Sequence, residues 1–466
     1  MRAFDSAGCV SVGIGRFFGR RLASQLGSAL LLLAACAQAP TISSQPLDAT
    51  PSDARSERDD ADAAQQLSCS RLTSWRSETV KSSASNARIA LGPNGEVHLL
   101  YAALDGLHYA RRSPDHGWQS ELIDAYDHEA VRKHTPSFAV DKDGLVHVAF
   151  FRHRRVNIER TIGRLTYAQR QQDGRWHTEA VSDETGDGSA VTLRVDSAGS
   201  VHLLYIDQRQ GRLIHSLRAG SNNWQQTIVD ETNTASGPSL TIDASDGLHV
   251  AYYRSERSGH LYGRGQLTYA YRSAQETHFT SETIEALQLI SPTAIATHML
   301  REKGRKAARP MVHLTYYELP LGPSTPPGWR YQARDPASGK WRKETIPLAE
   351  QTSPRSASDD PLGFAVSNSG ATHFLVEPIS PAGRVIYYAL READGDWTVT
   401  ALVSCPEAWM LRDRPALALN ASDQCAHIAF AETNGASANN TTGTTLAAPP
   451  RFDLLYLSPC LSATMH

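Results

Sequence analysis

Residues Ser137 to Phe151 read Ser-Phe-Ala-Val-Asp-Lys-Asp-Gly-Leu-Val-His-Val-Ala-Phe-Phe. Two short apolar runs flank an Asp/Gly turn, and His147 opens the second run. Asp bonds its own backbone and Gly accepts a positive φ, the two things a tight hairpin needs. The stretch therefore predicts two antiparallel strands. The second run is apolar at every position after His147, which predicts burial on both faces of its sheet.

The pattern recurs down the chain. Its marker histidine returns as His98, His147, His202, His249, His313, His373 and His427. A third strand follows each time, as in Leu107-His108-Tyr109, Leu165-Thr166-Tyr167, Leu213-Ile214-His215, Leu267-Thr268-Tyr269, Trp329-Arg330-Tyr331 and Val385-Ile386-Tyr387. A fourth strand opens with Trp118, Trp176, Trp224, Trp341 or Trp397, and Phe279 takes that place in the fourth repeat. The seventh repeat stops after Leu454-Leu455-Tyr456. Its missing strand stands at the other end, where Trp75-Arg76-Ser77-Glu78-Thr79-Val80 matches Trp176-His177-Thr178-Glu179-Ala180-Val181. A strand left over at the start and a repeat one strand short at the end are what a closed ring requires. A linear stack would want polar caps at both ends. The prediction is an all-β fold over 67–466: a seven-bladed β-propeller of four-stranded antiparallel blades, closed by an N-terminal strand.

Composition agrees. The 466 residues include 32 Gly and 24 Pro and are 41% hydrophobic, which suits many short strands around an ample core. A formal net charge of −3 lacks the basic face that a general grip on nucleic acid needs, so no nucleic-acid partner is expected.

Ahead of the repeats, Arg16, Arg20 and Arg21 precede a short apolar run centred on Ala29 to Leu33, too short to span a bilayer. It ends in Leu33-Ala34-Ala35-Cys36, which resembles the lipobox of bacterial lipoproteins. The resemblance implies a signal peptide over 1–35, cleavage before Cys36 and a lipid anchor on its thiol. Ala37 stands where Asp would mark inner-membrane retention, so the resemblance implies the outer membrane, with the body periplasmic or surface-exposed. Residues 36–66, rich in Ala, Ser, Asp, Gln and Pro, read as a disordered tether with a reach of roughly 30 Å. Cys69, Cys405, Cys425 and Cys460 then lie in an oxidising compartment, and four cysteines allow three pairings. Cys69 and Cys460 align to the same turn between third and fourth strands, which predicts that they pair across the seam of the ring. Cys405 with Cys425 follows by elimination. None has metal-ligand spacing, and no metal or cofactor is expected.

A residue present in every repeat serves the repeat, so the marker histidines are expected to bond neighbouring backbone or carboxylate groups. Asp141 to Gly144 resembles the start of a calcium loop but lacks the rest of it, and reads as a turn. Ligand chemistry is expected where the pattern breaks, on the face carrying the loops between second and third strands and between repeats. Arg152 and His153, Asp207, Arg254 and Tyr262, Glu318 and Arg414 all fall there. Such a face, part cationic, part anionic and partly aromatic, suits a charged or sugar-like ligand. The basic hairpin Arg301 to Arg309 falls on the opposite face.

The run of apolar strand, Asp-x-x-Gly and His-Val/Leu-x-Tyr/Phe resembles the broad BNR-like and sialidase-like propeller superfamily, over residues 68–466. The sequence lacks the Ser-x-Asp-x-Gly-x-x-Trp box and the Arg-Ile-Pro motif of true sialidases, and seven repeats exceed their six blades. It is more similar to the seven-bladed BNR-like polysaccharide lyases. That resemblance implies His153 as base, Tyr262 as acid and Arg254 neutralising a uronate carboxylate. Two functions stand at this point. One is a binding or scaffolding module for a glycan or an envelope protein, with Arg152, Asp207, Glu318 and Arg414 contacting the ligand. The other is a lyase acting on an anionic polysaccharide.

Overall fold

The computed structural model describes residues 70–71, 75–113, 115–125, 136–155, 161–184, 191–256, 263–289, 293–301, 307–319, 326–348, 363–377, 379–380, 383–405, 414–420, 425–434 and 451–458. Among them every regular element is a β-strand. The signal segment, Cys36, the tether, Cys69, Cys460 and Tyr262 lie outside the described residues.

The strands pair antiparallel in chain order, in sets of four. The first set is Ser85–Leu91, Val97–Ala103, Gly106–Ser113 and Gly117–Asp124. The opening stretch lies in the second: Ser137–Val140, Val146–Arg155, Thr161–Arg170 and Trp176–Glu184. The third is Val191–Val195, Val201–Asp207, Arg212–Gly220 and Asn223–Asp230. The fourth (Ala235–Ile242, Leu248–Ser255, Gly263–Arg272, Thr280–Leu289) and the fifth (Ala294–Leu300, Arg309–Leu319, Gly328–Arg334, Trp341–Thr345) join into one eight-stranded sheet. The link is a short pairing of Gln288 and Leu289 with Leu319 and Glu318. Phe364–Val366, Thr372–Val376, Gly383–Arg391 and Trp397–Cys405 form the sixth set, with two short strands added. In the last, strand Arg76–Ser82 pairs with Arg451–Ser458, which pairs with Ala426–Asn434 and so to Ala416–Leu419. Among the described residues no sheet closes on itself into a barrel.

The core lies between sheets rather than within one. Each of seven apolar clusters draws its side chains from two repeats adjacent in the sequence, or from the seventh and the first. The last kind joins Leu99, Tyr101 and Ala110 to Ala429 and Leu454. Second strands are covered by a neighbour on both faces, so Val148, Ala149, Phe150 and Phe151 are all buried. Fourth strands lie at the rim and alternate between exposed and half-buried positions, as in Gly117–Asp124. The predicted turn forms at Asp141 to Gly144, with Gly144 at φ +79°, where a side chain would be strained.

One aromatic contact repeats at every junction. Trp176 stands edge-on to Tyr109, Trp224 to Tyr167, Trp341 to Tyr269 and Trp397 to Tyr331, each reaching back to the preceding repeat. Phe279 meets His215 in the same way. Trp75 meets Tyr388, and Trp118 of the first repeat meets Tyr456 of the seventh. Such edge-to-face pairs add about 0.5–1.5 kcal/mol each beyond area burial.

Candidate functional site

The marker histidines are built into the repeats, and besides the expected carboxylates, met in three repeats, each has a cross-strand partner that the repeat pattern did not reveal. The Nδ1 atoms of His98, His147, His249, His313, His373 and His427 lie 2.5–2.7 Å from the hydroxyls of Tyr109, Tyr167, Tyr269, Tyr331, Tyr388 and Tyr456. His202 meets His215 in that place, at 3.0 Å. Each tyrosine sits two residues before the histidine's cross-strand neighbour, a diagonal contact of the antiparallel pair. The expected triplet of the sixth repeat, Val385-Ile386-Tyr387, is therefore out by one. His373 pairs with Leu390, so the diagonal position is Tyr388.

The Nε2 atoms meet carboxylates in three repeats: Asp141 at 3.1 Å, Asp196 at 3.2 Å and Asp243 at 2.9 Å. The other oxygen of each accepts two amides of its own turn, Asp143 and Leu145 for Asp141, and Ser245 and Gly247 for Asp243. The carboxylates are thus committed to turn and histidine. Among the described residues no group of three or more His, Cys, Asp or Glu is placed to hold a metal. Burial pushes the His98 imidazole down to about 4, with Arg111 and Arg170 adding to it, and His427 down to about 4, with Arg112 adding. Burial, then His298 and Arg391, push His313 down to about 3. At neutral pH these rings are neutral hydrogen-bonding parts of the scaffold.

A second network ties the repeats together. Arg112 and the Trp118 indole both donate to Glu78, Arg218 and Trp224 to Glu179, Arg334 and Trp341 to Glu282, and Arg391 and Trp397 to Glu344. Arg170 donates to Glu121. The signal was present in the sequence as Tyr-x-x-Arg followed by Trp-x-x-Glu. It became legible only when the glutamate of one repeat met the arginine of the next.

The residues expected to meet a ligand are mostly engaged. Arg152 donates through Nε to Asp124 at 2.9 Å, and its guanidinium lies 5.9 Å from the Phe150 ring centroid. Arg254 donates to Asp230 at 2.9 Å and to the Tyr252 hydroxyl at 3.1 Å. Asp207 is buried and accepts the Arg209 and Gln210 amides of the following turn. Glu318, also buried, accepts from Arg330 at 2.6 Å and Lys343 at 2.9 Å. His153 is half-buried, with its ring 6.2 Å from that of Phe151. Arg414 is half-buried just ahead of strand Ala416–Leu419. Cys425 is disulfide-bonded.

A pocket of about 310 Å³ opens instead on the other face, between the fourth and fifth repeats. His249, Tyr269 and Val312 lie among its buried lining. Half-buried Tyr271 and Arg334 and exposed Arg309, Thr280, Ser281 and Glu282 complete its polar and aromatic walls. Arg309 begins strand Arg309–Leu319 at the end of the predicted basic hairpin, whose residues 302–306 lie outside the described residues. Burial first, then the nearby Asp243 and Glu276 carboxylates, raise the Tyr271 hydroxyl above its ordinary range, so it stays protonated and able to donate.

The fold defines an all-β protein of repeated antiparallel four-stranded sheets. No family model and no curated protein matches the chain. Among solved structures, it is similar to a protein of unknown function from Dyadobacter fermentans, at 11% identity and a TM-score of 0.41, covering 72% of this chain and 99% of that one. An α-L-arabinanase of Penicillium chrysogenum complexed with arabinobiose gives 13%, 0.42, 72% and 98% for the same quantities. The polysaccharide lyase Uly1 gives 12%, 0.36, 72% and 92%. At such scores these likenesses assign no activity.

Proposed function

We propose that the chain is an outer-membrane lipoprotein whose repeats form a seven-bladed β-propeller, closed by strand Arg76–Ser82, that binds a glycan. The ring is supported by the seventh-to-first core cluster and by the Trp118–Tyr456 contact. The lipobox ending at Cys36 and the tether over 36–66 support the anchor. Cys69–Cys460 and Cys405–Cys425 are the disulfides of this reading.

The observation that carries the glycan is the pocket walled by Tyr271, Arg309, Arg334 and Glu282. A tyrosine face takes a sugar ring, while guanidinium, carboxylate and hydroxyl groups meet its hydroxyls or acid groups. Its volume suits one or two sugar residues. The alternative, a polysaccharide lyase using His153, Tyr262 and Arg254, requires Arg254 to exchange Asp230 for the substrate carboxylate, whereas the pocket offers Arg309, which makes no ion pair among the described residues.

Calorimetric titration with a panel of neutral and acidic oligosaccharides tests this. Saturable binding that Tyr271→Ala and Arg309→Ala weaken by about tenfold or more is expected. Binding that both variants leave intact, or none across the panel, refutes it. Release of ultraviolet-absorbing unsaturated uronate from a polyanionic glycan, lost in His153→Ala, would establish the lyase instead.

A further inference from the structure

A separate cavity of about 140 Å³ is bounded by the first strands of all seven repeats. Its polar lining is Arg88, Arg194, Ser137, Thr192, Ser239 and Thr293, and the other eight lining residues are apolar. No carboxylate is among the described lining residues.

Both arginines break a pattern of small residues. At the register opposite the marker histidine, five repeats place alanine and one threonine, while the third places Arg194. Two residues earlier along the strand the first repeat places Arg88, and the others carry Ser, Thr, Ala or Gly. Where seven strands converge, small side chains leave room, and one arginine enters at each of two levels. The levels are two residues apart, or about 6–7 Å along a strand.

Arg88 Nη1 donates to the Ala87 carbonyl at 2.6 Å and Arg194 Nη1 to the Leu193 carbonyl at 2.8 Å. Arg194 makes no ion pair among the described residues. Burial holds its guanidinium down at about 10, so it still carries full charge at neutral pH. The hydroxyls lie close to the chain: Ser137 accepts the Leu193 amide at 3.0 Å, and Ser239 meets Thr293 at 3.1 Å. Two guanidinium groups beside hydroxyls, with no acid among the described lining residues, favour an anion.

We propose that this cavity is a binding site for a small oxyanion, held by Arg88 and Arg194 together. The site is distinct from the pocket between the fourth and fifth repeats, and its occupant clamps the first strands from within. An anion bound only by the folded protein stabilises it by mass action.

Thermal unfolding and calorimetry with inorganic phosphate and with sulfate, against sodium chloride at matched ionic strength, test the proposal. The expected result is a saturable rise in melting temperature with phosphate or sulfate beyond the chloride control. It should disappear in Arg194→Met and in Arg88→Met. Should either fail to fold, Arg194→Lys and Arg88→Lys serve, with affinity about tenfold weaker because an ammonium makes no two-point contact. A melting temperature that tracks ionic strength alone, or an oxyanion shift unchanged in the variants, overturns the proposal. Arginines that merely fill the channel would alter stability equally with and without the oxyanion.

Discussion

At Asp141 one carboxylate meets two needs. One oxygen closes the turn through the Asp143 and Leu145 amides, and the other holds His147. Losing it leaves two amides and an imidazole without their acceptor in a buried place, where each unmet group costs about 1–3 kcal/mol. Asp141→Ala should therefore lower stability by about 3 kcal/mol in denaturant unfolding. Asp143→Ala, which removes an exposed carboxylate two residues on, should stay within about 0.5 kcal/mol. Equal effects would mean that the Asp141–His147 contact contributes nothing. The sequence made Asp141 a turn former and His147 a scaffold residue, and both hold. It did not reveal the tyrosine on the far side of His147, because a diagonal contact depends on strand register, which residue spacing alone does not give.

Between elements, the interlocking of successive repeats is carried by acid, arginine and tryptophan. Burial alone would push the Glu179 carboxyl up, yet Arg218, the Asn222 amide and the Trp224 indole hold it below the usual range. Its side chain is fully covered. Glu179→Ala would strand all three donors, and should cost roughly 2–4 kcal/mol. The chain also contains its own counter-example. Thr227 stands where Glu121, Glu179, Glu282 and Glu344 stand in their repeats, and Arg272 of the next repeat stacks on Phe279, at 5.2 Å, without an acid partner among the described residues. Burial lowers the pKa of its guanidinium. Thr227→Glu should restore the missing pair and raise stability by up to about 1 kcal/mol, the range of a part-exposed ion pair. Denaturant midpoints of the two variants, moving in opposite directions, check this.

For the whole molecule, two further outcomes follow from how the parts are joined. Unfolded histidine takes up protons below about 6.5, while His98 and His427 stay neutral when folded until about 4 and His313 until about 3. The unfolded chain then binds more protons, so stability should fall as the pH drops from 6.5 towards 4, by about 1.4 kcal/mol per pH unit for each such histidine. Depressed carboxylates extend the loss to lower pH. At Asp243, burial raises the pKa, but His249 and the Gly247 and Ser245 amides outweigh it, so its contribution is lost as pH falls below the ordinary 3.8. Unfolding free energies at pH 7, 5.5 and 4.5 should decline steadily, and a flat profile would count against burial of these rings. Removing residues 1–82 should abolish cooperative unfolding, because it strips the pairing partner from Arg451–Ser458 and the Glu78 acceptor from Arg112 and Trp118.

The sequence by itself determined the strands, their grouping in fours and the match of the N-terminal strand to the last repeat, because period-two burial and turn chemistry are local properties of the chain. It also placed Arg152, Arg254 and Glu318 on the face that carries the loops between second and third strands. Only the tertiary structure decided what those charges do, since their partners Asp124, Asp230, Arg330 and Lys343 come from other strands. The same holds for the pocket beside Tyr271 and for Arg88 and Arg194. They are 106 residues apart, and they share a cavity only because the first strands of separate repeats converge on it.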